Sequence, residues 1–247
     1  MESYSQLAVA LAALTLFAVE SIWPNHRARF DLKWAARSLG LTVLGMILVA
    51  ALGSHFDPWL KSSRLFPPLS GDLAKWPAYL SGFLGYIIVS FIVYWWHRAR
   101  HASGLLWRIF HQIHHSPARI DVLTTFYAHP ADFFANTFIV SLVSYALLGL
   151  EPLAAGWCLF WVGFFDTWEH TNVKTPVWLG YIVVRPEMHR VHHEYEKHAK
   201  NYGIPLWDML FGTYENSSRR VELCGFGEER EKRLLSMLAA RDVHESD

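Results

Sequence analysis

The sequence predicts an all-α fold: an integral-membrane helical bundle of about four to five membrane helices, with a cytosolic helical cap holding a multi-histidine site. Three observations predict it. Long apolar runs recur along the 247 residues. Histidines cluster at helical spacing beyond the ends of those runs. No stretch alternates apolar and polar residues with the period of a half-buried strand.

Composition agrees. Hydrophobic residues make up 52% and charged residues 18%, against the usual quarter for charged residues. Mean hydropathy is +0.14 and the pI about 7.3. The formal net charge is +0, so no global field points to nucleic acid. Of the twelve Trp, Trp23, Trp59, Trp76, Trp95 and Trp96 sit at the ends of apolar runs, where amphipathic rings favour a membrane interface. The two cysteines, Cys158 in an apolar run and Cys224 in a polar tail, form no disulfide framework.

The first run covers residues 6–23. Met1-Glu2-Ser3 before it has no basic residue, and no small-residue cleavage site follows. A spanning helix is expected rather than a signal peptide. Runs two and three cover 38–56 and 78–96, close to the roughly 20 residues a span needs. Runs four and five, 133–150 and 154–168, are joined by Glu151-Pro152-Leu153. They predict a tight helical hairpin that spans or dips into the bilayer. Arg27, Arg29, Lys33 and Arg37 follow run one, and Arg98, Arg100, Arg108 and Arg119 follow run three. The positive-inside rule then places every histidine cluster on the cytoplasmic face. Residues 97–132 and 169–215 predict a polar helical cap broken at Pro117, Pro130, Pro176, Pro186 and Pro205. Residues 228–241 predict a terminal surface helix with a Leu234, Leu235, Leu238 stripe. The expected organisation is a single membrane domain over 1–247. Its N-terminal membrane helices lie in 6–56, its core in 94–215 and its polar tail in 216–247.

The chemistry lies in histidine. The pattern H-x-x-H-H occurs twice, at His111, His114, His115 and at His189, His192, His193, and His97 and His101 precede the first copy. Spacings of three and four share a helix face. Crowded imidazoles repel if protonated, and a metal holds them neutral. His97 and His101 alone would also fit interfacial polar residues. Two identical triplets do not fit a basic surface patch, which would use Lys and Arg. Eight imidazoles exceed what one four- or five-coordinate ion uses, so two ions are expected, and each triplet can split between them. His170, where run five ends, is a ninth candidate. His129, before Pro130, stands open between ligand, second-sphere and structural roles. His198 fits the second sphere or the surface, and His26, His55 and His244 read as ordinary exposed residues. No Glu has a His three residues later, so an all-nitrogen site fits better than a carboxylate-bundle site. Acids to orient the rings come from Asp121, Asp132, Asp166, Glu169, Glu187, Glu194 and Asp208, with Asp166, Glu169 and Asp208 foremost. A transporter would place its ligands near mid-bilayer, and a bis-histidine haem protein would not use nine grouped residues. A zinc-filled, catalytically silent or transport protein stays open as the alternative.

Tyr94-Trp-Trp-His97-Arg-Ala-Arg-His101, Leu106-Trp-Arg-Ile-Phe-His111-Gln-Ile-His114-His115-Ser116, Ala128-His129-Pro130, His189-Arg-Val-His192-His193, Asn201-Tyr202-Gly203 and Trp207-Asp208-Met-Leu-Phe211-Gly212-Thr213 occur in that order. Over residues 94–215 the chain resembles the fatty acid hydroxylase and sterol desaturase superfamily of integral-membrane iron enzymes. His170 to His193 with Asn-Tyr-Gly is similar to the alkylglycerol monooxygenase branch. The resemblance implies a four-helix bundle whose cytosolic cap holds two iron ions. It implies His97, His101, His111, His114, His115, His170, His189, His192 and His193 as ligands, His170 least directly. It further implies a lipid substrate, O2, and two electrons from a cytochrome b5-like, ferredoxin or other reductase partner. No His-Pro-Gly-Gly occurs, so a separate donor is expected. The implied product is a hydroxylated or desaturated lipid. Arg98, Arg108, Arg119 and Arg185 are expected either to meet a lipid phosphate or to act as positive-inside anchors.

Overall fold

The computed structural model describes residues 2–26, 31–66 and 71–244. Arg27 and Arg29, which the charge-based orientation uses, lie outside the described residues. The described residues are helical, with no strand among them and one isolated bridge between Glu194 and Cys224.

Helix α1 runs Glu2–Ile22 and α2 runs Leu32–Ser62. Asp31 caps α2, its Oδ1 accepting from the Lys33 and Trp34 amides, which satisfies donors that a helix start leaves orphaned. At 31 residues, α2 is roughly 46 Å long and extends well beyond the expected run at both ends. Helix α3 runs Ala78–Ala102. Gly104–Leu106, a π-helical turn Trp107–His111 and Gln112–His115 follow as one rod, α4. Helix α5, Pro130–Ser141, continues as a π turn over Leu142–Leu147, and α6 runs Pro152–His170. Leu148 and Leu150 donate back to Val143 and Ser144, which closes the expected hairpin. By length and hydropathy α2, α3 and Pro130–Leu147 qualify as membrane spans, and the apolar stretch Leu7–Ile22 is shorter. Helix α6, with 19 residues, carries Asp166 and Glu169 in its last turns.

Helix α6 is the hub. It packs on α3 and α1, while α2 packs on α5. Close approach needs small residues: a Cβ on Gly82 would stand 2.5 Å from Trp157 Cβ and 2.6 Å from the Ala154 carbonyl. Val89, Val143, Leu148 and Cys158 lie in the buried core between these helices. Leu39, Val43, Met46 and Ile47 of α2 stay exposed. Such a surface suits hydrocarbon and marks a membrane protein.

In the cap, proline starts elements as well as separating them. Pro130, Pro186 and Pro205 open helices at their first turn, where a missing N–H costs nothing. The short helices are α7, Pro186–His192, and α8, Pro205–Leu210. The expected helix over 228–241 is two shorter ones, α9, Glu228–Glu231, and α10, Leu234–Leu238. Leu234 and Leu238 pack on a buried cluster with Trp34, Tyr127 and Met237, while Leu235 is exposed. Residues 216–244 fold back under α4: Gln112 donates to Arg241 and accepts from Val243. Both cysteines are buried and free.

Candidate metal centre

The nine histidines converge from four helices. His97 and His101 come from the end of α3, and His111, His114 and His115 from α4. His170 ends α6, and His189, His192 and His193 come from α7 and its cap. They fall into two groups. His97, His101, His111, His115 and His192 form one, and His114, His170, His189 and His193 the other. Within each group one ring nitrogen per residue lies within 4.8 Å of all the others. The i,i+4 pairs 97/101, 111/115 and 189/193 each stay in one group, as a shared helix face requires. The remaining member of each triplet, His114 or His192, crosses to the opposite group. The π turn inside α4 lies between His101 and His114, where an inserted residue shifts the helix register.

Tautomers follow from partners that only accept. His97 Nδ1 donates to the Tyr202 carbonyl at 2.8 Å, His192 Nδ1 to the Lys200 carbonyl at 2.7 Å, and His170 Nδ1 to the Asp166 carbonyl at 2.7 Å. Their Nε2 atoms are therefore lone pairs. His192 Nε2 lies 3.1 Å from His115 Nε2, which lies 3.1 Å from His111 Nε2. His170 Nε2 lies 2.9 Å from His189 Nε2 and 3.2 Å from His114 Nε2. His97 Nε2 and His101 Nε2 are buried without partners. Imidazole nitrogens sharing one ion at about 2.1 Å stand roughly 3.0–3.4 Å apart. The residues present therefore fit a cation in each group. Burial pushes the cap imidazoles His111, His114, His115, His189 and His193 well below their usual range, and neighbouring imidazoles add to the effect. Burial takes His192 down to about 3. All stay neutral at physiological pH, the form a metal requires.

The surrounding residues sort the second-sphere expectations. Glu169 Oε1 lies 3.3 Å from His189 Nδ1, and an Asp166 carboxylate oxygen 3.6 Å from His170 Nδ1. His198 Nδ1 lies 3.2 Å from His115 Nδ1. Asp208 acts one step further out. It accepts from the Tyr202 and Gly203 amides and from the Thr213 hydroxyl, holding the carbonyl that orients His97. His129 belongs to neither group; its Nδ1 caps α5 by accepting from the Ala131 amide at 3.0 Å. His192 depends on an unusual loop, in which Glu196, His198, Lys200 and Asn201 all adopt positive φ. This is a costly conformation for non-glycine residues, and it persists only where the surroundings impose it. Asn201 supplies part of that, bridging the Met188 and Glu215 carbonyls.

Sequence reasoning left Asp132 in the general pool of acids and gave Arg100 no site role. Arg100 Nη1 donates to both Asp132 oxygens at 2.7 and 2.9 Å, and the pair is 4% exposed. Asp132 Oδ2 lies 3.7 Å from His111 Nδ1. The Tyr202 ring, packed edge-to-face with His97, His101 and His192, is a second such neighbour. Its only signal was Asn-Tyr-Gly. Arg185 is not available to a phosphate: it is buried, donates to Thr175 and Asn216, and pairs with Glu187. Arg119 pairs with Asp121.

A cavity of about 500 Å³ runs from this centre between α3, α5 and α6. Phe83, Ile87, Phe133, Val162 and Phe165 line its apolar length, and His97, His111, His114, His170 and His189 its polar end. Members of both histidine groups thus face one cavity, whose polar end Arg100, Asp132, Asp166 and Glu169 also line.

No solved structure matches the chain. Among curated proteins, an ornithine lipid hydroxylase of Rhizobium tropici is 33% identical over 72% of this chain and 56% of its own length. Alkylglycerol monooxygenase of Homo sapiens is 31% identical over 69% and 37%. A very-long-chain aldehyde decarbonylase of Oryza sativa subsp. indica is 30% identical over 53% and 22%. The chain thus spans a little over half, or less, of these relatives. The profile of the fatty acid hydroxylase family matches residues 82–213, which hold all nine histidines, and the chain belongs to that family.

Proposed function

We propose that this chain is a membrane-bound di-iron oxygenase that hydroxylates or desaturates an apolar C–H bond of a lipid. The observation that carries the reading is the convergence of nine imidazoles, five and four, with members of both groups lining the polar end of a cavity whose length is apolar. Grouped imidazole donors suit iron, zinc or copper, and Asp166 and Glu169 stand beside His170 and His189. The named relatives, an ornithine lipid hydroxylase and an alkylglycerol monooxygenase, support a redox-active ion over zinc, and the resemblance to a family of iron enzymes supports iron. His97, His101, His111, His115 and His192 would hold one ion, and His114, His170, His189 and His193 the other. Two iron ions held by these residues would supply O2 activation, and the two electrons that chemistry needs would come from a separate cytochrome b5-like, ferredoxin or reductase donor.

The chain's own share is positioning and exclusion of water. The Tyr202, Lys200 and Asp166 carbonyls fix three rings in one tautomer. Phe83, Ile87 and Phe165 present a hydrocarbon chain to the histidine end by contact alone. The charge pattern of the sequence supports a cap on the cytoplasmic face, where a soluble donor would reach it.

Metal analysis of the purified full chain, with O2 uptake and lipid product analysis under a supplied reductant, tests the reading. About two irons per chain and an oxidised lipid are expected. One metal or none, or two zinc ions with no oxidation, overturns it.

A further inference from the structure

The sequence marks 169–215 as a polar cap, yet two of its segments expose a run of large apolar side chains. In the turn Val177–Tyr181 and the residue after it, Trp178 is 60% and Ile182 67% exposed. In α8, Leu206 and Met209 are exposed and Leu210 is 66% exposed. The two segments touch each other. The first segment is held in place: Asn216 donates to the Val177 carbonyl and Tyr214 to the Gly180 carbonyl.

Their depth follows from α3. Trp207 Nε1 donates to Ser90 Oγ at 2.9 Å, and the Trp207 ring packs on Phe91 at 5.1 Å. Phe211 packs on Trp95 at 4.9 Å. Ser90 precedes His97 by seven residues, about 10 Å along a helix. Helix α8 therefore lies alongside the apolar part of a membrane span, not beyond its end. Its exposed face stands at the depth of that span. The chain next to both segments also walls the cavity: Ile182, Val183 and Val184 on one side, Gly203 and Ile204 on the other.

We infer that residues 177–182 and 205–210 are immersed in the bilayer and form the doorway through which a lipid reaches the histidine end of the cavity. The occupant of this surface is bilayer hydrocarbon. Delivery of substrate through it rests on the oxygenase reading; immersion does not.

The test uses the full chain in phosphatidylcholine vesicles. Both native cysteines are buried, so Ile182→Cys and Leu210→Cys direct a nitroxide label to the surface. Ile47→Cys, on the lipid-facing side of α2, and Leu235→Cys, 82% exposed in the cap, serve as references. At both doorway positions collisions with O2 are expected to exceed those with a soluble nickel chelate, as at position 47. Nickel dominating at either, as at position 235, overturns the inference, including where the surface serves a protein partner instead. The measurement needs no iron, substrate or turnover. An immersed doorway on an inactive chain would therefore sink only the proposed function, and a water-exposed doorway on an active one only this inference.

Discussion

The bundle and the cap are held by different forces. In the bundle, polar side chains turn inward on their own helices. Thr15, Thr42 and Thr167 each donate to the carbonyl four residues back, and contact between helices is mostly apolar. In the cap, polar groups reach across the chain. Asn201 joins Met188 to Glu215, Gln112 joins α4 to residues 241 and 243, and Asp208 holds the Tyr202 loop. A surface solvated by lipid needs only shape and apolarity. A cluster of lone pairs needs every ring aimed. The contrast teaches that substitutions should be absorbed in the bundle and amplified in the cap.

The largest break in that contrast is removal of a crossing histidine. Removing outer-sphere partners already costs roughly 10–100-fold in metal affinity. His114→Ala or His192→Ala is expected to cost more, read as metal bound per chain and as lipid oxidation. Acid should act next. The cap imidazoles are held well below the unfolded value of 6.5, His192 at about 3 and His198 at about 4. The unfolded chain therefore takes up protons first as pH falls, so the stability these rings contribute is full above about pH 6.5 and declines progressively towards pH 3. An unfolding free energy that stays flat from pH 7 to 4 would contradict this.

Asp132→Ala strips the partner from a buried guanidinium. A loss of about 3–5 kcal/mol is expected, measured by denaturant unfolding in detergent, with loosened metal binding because His111 loses its neighbour. In the bundle, Gly82→Val drives a side chain into the α6 backbone. Overpacking of this kind costs about 1–3 kcal/mol, and metal content per folded chain is expected to hold. Ile47→Ala on the lipid face should change stability by less than about 0.5 kcal/mol. A larger effect there would show α2 to be packed against something.

How much of this was legible in the sequence divides along the same line. Apolar runs locate the bundle because its driving force is summed over a segment and reads directly as composition. The nine histidines were legible because spacings of three and four encode a helix face. The split of each triplet was legible only as a possibility, since which ring crosses depends on how α4 and α7 oppose each other. Arg100 and Asp132 lie 32 residues apart, and no local pattern pairs them. The immersed doorway was hidden for a related reason. Residues 177–182 and 205–210 are each too short to register as an apolar run, and only the docking of 205–210 on α3, with 177–182 against it, gives them a common depth.

The exchange of His114 and His192 has one more consequence. Each triplet bridges both nests of nitrogens, so neither can close without the backbone that closes its neighbour. Filling should be concerted: in a metal titration the singly loaded chain stays scarce, and chelation strips both ions together.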